Sequence, residues 1–133
     1  MIKKTLFISS LCLLCLLACK HSIKPEALYG DWKYIKIDKH KSDDITDTVS
    51  KDDLLANAPY ISFSTNNQLT IHWGGKVLSH GTYTVTNDNI NYTEQLNGGQ
   101  TRTFPFYISK LDDKNIVFET LDKNGSRVTA VKK

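Results

Sequence analysis

Two hydrophobic patterns run along this chain. Leu6 to Ala18 is an apolar run broken only by Ser9-Ser10, and it follows the charged opening Met1-Ile2-Lys3-Lys4. From Tyr29 onward the pattern changes to short stretches rich in β-branched and aromatic residues, bounded by turn formers. That pattern predicts strands over Trp32–Asp38, Tyr60–Ser64, Gln68–Trp73, Val77–Val85, Ile90–Gln95, Arg102–Lys110, Ile116–Leu121 and Arg127–Lys132. Between them stand Asn66-Asn67, Gly74-Gly75, Asn87-Asp88-Asn89, Asn97-Gly98-Gly99, Asp112-Asp113-Lys114-Asn115 and Asn124-Gly125. These residue types tolerate the positive φ of tight hairpins. The reading is an all-β chain, an eight-stranded antiparallel meander.

The one long connection, residues 39–59, differs. Ser50 can cap a helix whose first turn carries Asp52 and Asp53, and Pro59 stops it, so a short helix or turn should lie across one end of the sheet. The stretch before it, His40 to Thr48, reads as polar and mobile. Around Gly74-Gly75-Lys76, a three-residue loop would set Trp73 opposite Val77. Leu69, Ile71, Trp73, Val77, Gly81, Tyr83 and Val85 would then share the apolar, inward face, with His72, Leu78 and His80 on the other. The final hairpin carries apolar residues on both parities and does not resolve in this way.

The amino terminus has the order of a secretory signal: charged start, short apolar core, small residue before a cut. Its apolar run falls short of the roughly 20 residues that span a bilayer. Leu16-Leu17-Ala18-Cys19 looks like a lipobox. This predicts a signal peptide over residues 1–18, a lipidated Cys19, a tether through residue 28 and one domain over residues 29–133. Two or three acyl chains hold a protein stably, at about 0.8 kcal/mol per buried CH2, where one holds it marginally. Cys12-Leu13-Leu14-Cys15 matches a redox or zinc spacing but falls within the discarded signal. With Cys19 spent on lipid, the domain must be held by its hydrophobic core. The formal charge of +3 includes Lys3 and Lys4, leaving no basic face for nucleic acid. Lys20, rather than an aspartate, follows Cys19, which favours sorting to the outer membrane, and no acidic run follows it, which predicts a domain facing the periplasm.

Leu28-Tyr29-Gly30-Asp31-Trp32 at the first strand and Gly81-Thr82-Tyr83 mid-domain form a pattern that resembles the lipocalins and wider calycins. More closely, it looks like the small lipocalin-like lipoproteins of Gram-negative bacteria. The resemblance implies that the meander closes into a small barrel. It also implies that Gly30 and Trp32 close the barrel bottom, with Arg127 of the last strand packed over the indole; such a contact is worth about 0.5–2 kcal/mol. The chain departs from full-length lipocalins in its shortness and in lacking a disulfide and a threonine-aspartate-tyrosine turn.

An eight-strand barrel either fills with side chains or holds one small ligand. The inward set, and candidate ligand lining, is Ile61, Phe63, Ile71, Trp73, Tyr83, Tyr92, Phe106 and Phe118, with Phe104 beside it. Such bulk reads first as core and second as ligand lining. His72 and His80 read as a solvated pair rather than metal ligands. Asp43-Asp44, Asp52-Asp53 and Asp112-Asp113 suit turns and caps. The expectation is no enzyme, no metal and no cofactor. Two functions remain: a binding protein for a small apolar ligand, or a protein-interaction or inhibitor module of the cell envelope with a filled barrel. Cys19→Ser should abolish lipidation and membrane association, read by fatty-acid labelling and sedimentation. A variant that still labels would refute the lipobox.

Overall fold

The computed structural model describes residues 22–41, 44–120 and 125–133. Cys19, the expected signal segment and His21 lie outside the described residues, as do Leu121 and Asn124. A 3-10 turn, Pro25–Ala27, leads into strand β1 (Gly30–Lys41), then β2 (Asp44–Thr48) and the helix α1 (Lys51–Asn57). The meander continues through β3 (Tyr60–Phe63), β4 (Gln68–Trp73), β5 (Lys76–Thr86), β6 (Asn89–Gln95), β7 (Thr101–Leu111), β8 (Asn115–Thr120) and β9 (Ser126–Lys132).

Every neighbouring pair from β3 to β9 is antiparallel, and β1 pairs with β3 on one edge and β9 on the other. The result is a closed eight-strand antiparallel meander barrel, consistent with a lipocalin-like fold. β2 is the ninth strand. It pairs with β1 from Asp38 to Lys41, beyond the reach of β3, which pairs only from Gly30 to Lys33. Within the stretch expected to be mobile, Asp44–Thr48 is therefore a strand, because β1 overshoots its neighbour and leaves backbone groups to be paired. Between the two ladders, α1 packs Leu54 against the core, and Tyr34 N–H donates to Pro59 O at 3.0 Å.

The β4–β5 turn is shorter than the three-residue loop expected. Gly74 and Gly75 have φ of 61° and 76°, the left-handed pair that a two-residue hairpin requires, and Trp73 faces Lys76. The register then shifts: His72 faces Val77, but Ile71 faces Ser79 and Leu69 faces Gly81. Leu78 is the extra residue of a bulge. The bulge restores the expected inward face for Leu69, Ile71, Gly81 and Tyr83 and reverses Val77, which is 53% exposed. The final hairpin resolves with Ile116, Phe118, Val128 and Ala130 buried.

The described part of the expected tether is packed. Leu28 is buried in the core, Ile23 packs against it, and Ile23 N–H donates to Asn87 O at 3.0 Å. Residues 23–28 thus strap across one end of the barrel, because Ile23 and Leu28 bury apolar surface there.

Inside, aromatic rings form a continuous chain. Tyr34 meets Phe118 at 5.9 Å, Phe118 meets Phe106 at 5.5 Å, and Phe106 stacks on Tyr92 at 5.7 Å. Phe63 and Tyr83 meet edge-on at 5.3 Å. Gly81 lets β5 and β6 approach: a Cβ there would lie 1.9 Å from the Thr93 carbonyl oxygen. Because that neighbour is backbone, relief requires the strands to part. Gly81→Ala should cost about 3 kcal/mol, the upper part of the usual overpacking range, read as a lowered denaturation midpoint. An unchanged midpoint would show that the strands can part freely.

Candidate functional site

The meander sends its turns alternately to two ends. At one end lie the strap, the turns at Asn66-Asn67, Asn87-Asp88 and Asp113-Lys114, and the chain terminus. The indole of Trp32 lies at this end, fully buried, with Nε1 donating to Leu28 O at 2.8 Å. The cation over its ring is Lys132, at 4.5 Å, and not Arg127. The reason is register: Trp32 faces Lys132 on the closing ladder, whereas Arg127 faces Asp38 five residues along β9, roughly 16 Å away at strand rise. Arg127 pairs with Glu119 on β8 instead. Gly30 opens β1 beside Lys132, whose Nζ would stand 2.9 Å from a Cβ added there.

The other end is the mouth, formed by α1, the Gly74-Gly75 turn and the Asn97–Gly99 turn. Ser50 Oγ accepts from Asp53 N–H at 3.1 Å to start α1, and Gly74 N–H donates to Asn57 O at 2.8 Å, tying the helix to the hairpin tip. Between them opens a cleft of about 770 Å³. Ile37, Val49, Trp73 and Leu78 give it an apolar wall, and Lys39, Ser50, Asp53 and Asn57 give it polar groups.

A polar network stands on the inward face near the mouth. Glu94 is 8% exposed, and one carboxylate oxygen accepts from Ser79 Oγ at 2.9 Å while the other accepts from Arg102 Nε at 2.6 Å. Ser79 also shares a 2.6 Å hydrogen bond with the Tyr92 hydroxyl. Arg102 lies 5.4 Å over Phe104. Both carboxylate oxygens being engaged offsets the cost of burying the charge. Sequence reasoning passed over Glu94, although its parity was available: Ile90, Tyr92 and Glu94 alternate on one face of a predicted strand.

Of the expected lining residues, Ile61, Phe63, Tyr83, Tyr92, Phe106 and Phe118 are at most 4% exposed and pack on one another as core. Ile71 and Trp73 are half-buried against that core, and Trp73 alone of the eight reaches the mouth cleft. His72 stacks on Tyr60 at 4.1 Å, and His80 is exposed. Among the described residues, no group of three or more histidine, cysteine or carboxylate side chains could hold a metal ion. No helix among them is long and apolar enough to cross a membrane. Asp112 accepts from Lys114 and Asn115 N–H groups within its turn, which lower its pKa.

The chain matches no family model and no curated protein.

Burial pushes the phenols up. Tyr83 rises from 10.0 to about 12, by desolvation first and then by the nearby Tyr29 and Glu26. Its hydroxyl donates to Ser64 O at 3.2 Å. Because the folded state holds the neutral phenol, this contribution to stability is complete below the unfolded pKa near 10 and is lost as pH rises to about 12. Unfolding midpoints measured across that window should fall, and Tyr83→Phe should fall less than wild type. Equal losses in the two proteins would place Tyr83 in water.

Proposed function

We propose that this is a lipid-anchored, lipocalin-like binding protein of the bacterial envelope, held at the outer membrane by Cys19 and facing the periplasm. Its ligand is a small molecule with an apolar body and a polar end, and it binds at the mouth rather than deep in the barrel. The observation that carries this reading is the mouth cleft of about 770 Å³, within the usual range for small-molecule sites, beside an interior occupied by its own aromatic core. Trp73 and Leu78 supply the apolar contact area, while Lys39 and Asp53 offer charges of both signs for the polar end.

A second reading has its own observation. Leu55 and Ile35 are 72% and 47% exposed, and with Leu54 they flank a shallow groove between Lys33 and Lys51. Neighbouring exposed apolar residues flanked by two cations suit a protein partner.

The test uses the mature chain carrying Cys19→Ser with anilinonaphthalene sulfonate, an apolar dye bearing one charge. Saturable one-to-one binding is expected. Trp73→Ala and Leu78→Asp should each weaken it about tenfold, the equivalent of 1.4 kcal/mol. Tyr83→Phe, deep in the core, should leave it unchanged. Absence of saturable binding, or equal weakening by all three, would reject the mouth site. Loss of binding in Leu55→Arg alone would favour the groove beside α1.

A further inference from the structure

We infer that the protein stands with its closed barrel end against the membrane and its mouth projecting into the aqueous space. This rests on the lipidation of Cys19 proposed above, and the orientation follows from chain geometry. Ile23 is fixed at the closed end by its hydrogen bond to Asn87 O and by packing against the core. Ser22 and Ile23 border a hollow there together with Asp88 and Lys110. Only three residue steps join Ser22 to Cys19, and a chain spans at most about 3.6 Å per residue, so the acyl anchor lies within roughly 11 Å of the closed end whatever the path.

The mouth lies much farther off. β5 runs 11 residues from the Gly74-Gly75 turn to the Asn87-Asp88 turn. At about 3.3 Å per residue and a barrel tilt near 40°, its two ends differ by roughly 25–30 Å in height. An inverted barrel, mouth on the membrane, would require the anchor to cross that distance, which its length forbids. Val77 and Leu78, 53% and 65% exposed at the mouth, are therefore held out of the bilayer in which they would otherwise bury. The ligand of the cleft reaches it from the aqueous phase, or from a second body across that phase, and not out of the membrane holding the anchor.

The experiment uses the lipidated full-length protein, in which Cys12 and Cys15 leave with the signal and Cys19 is blocked. Asp113→Cys places one thiol at the closed end and Gln100→Cys places one at the mouth; both positions are exposed. Each is labelled with a fluorophore and reconstituted into phosphatidylethanolamine–phosphatidylglycerol vesicles carrying a headgroup nitroxide. The label at residue 113 should be quenched severalfold more than the label at residue 100. Fatty-acid incorporation is measured on the same preparations. Incorporation with equal or reversed quenching would overturn the orientation and leave the anchor standing. No incorporation would overturn both.

Discussion

The structure depends on one ladder, the pairing of β1 with β9. Without it the meander is an open sheet with two long edges, each able to recruit another chain. With it the ring holds eight strands, a number whose interior is just wide enough for side chains. The seam is fastened at the closed end. Trp32 and Lys132 face each other across it, the Lys132 ammonium turns over the indole, and it also donates to Tyr29 O. A flexible cation thereby covers a large ring that would otherwise meet water, and it satisfies the carbonyl that directly follows the strap. Closure, ring burial and strap docking meet at this one cluster.

Closure also sorts the interior by depth. Below, rings contributed by β1, β6, β7 and β8 pack edge to face and stacked in the geometries that aromatic quadrupoles favour. Nearer the mouth the inward face turns polar, with Ser79, Tyr92, Glu94 and Arg102 joined in one network. Arg102 is the exposed partner of that ion pair and Glu94 the buried one. Truncating Arg102 would leave a carboxylate inside the barrel with only a hydroxyl donor, a worse state than replacing both residues with apolar ones. A polar rim above a solid apolar base is a reason for recognition to occur at the rim.

Much of the fold was legible because period-2 alternation and turn residues agreed, strand after strand. The inward parity of Leu69, Ile71 and Tyr83 and the capped helix at Ser50 follow from local pattern, and the buried Trp32 followed from the resemblance carried by Gly30-Asp31-Trp32. What local pattern missed was long-range. β2 forms only because β1 outruns β3, which depends on how far two distant strands overlap. Lys132, rather than Arg127, covers Trp32 because the β1–β9 register sets them opposite, and nothing within either strand specifies that register. The mouth cleft joins side chains from β1, α1 and the β4–β5 hairpin. Of its residues, only Trp73 was a candidate for ligand lining in the sequence, and it was one for the interior; Ser50 and Asp53 were read as a helix cap and first turn, and Leu78 as outward.

The β4–β5 hairpin shows how a local conflict becomes a functional feature. The paired glycines demand a two-residue turn, whereas the apolar pattern of both strands demands the register of a three-residue one. Both demands are met by inserting Leu78 as a bulge, so the turn keeps its left-handed pair and Ile71 still faces Ser79. The extra residue then has no place in the core and no partner across the ladder. It stands at the mouth, 65% exposed, on the wall of the cleft. A bulge re-aims a side chain at a local cost in pairing. Here it turns a leucine to the solvent side of a cleft that shares Trp73, apolar surface for which the interior has no use.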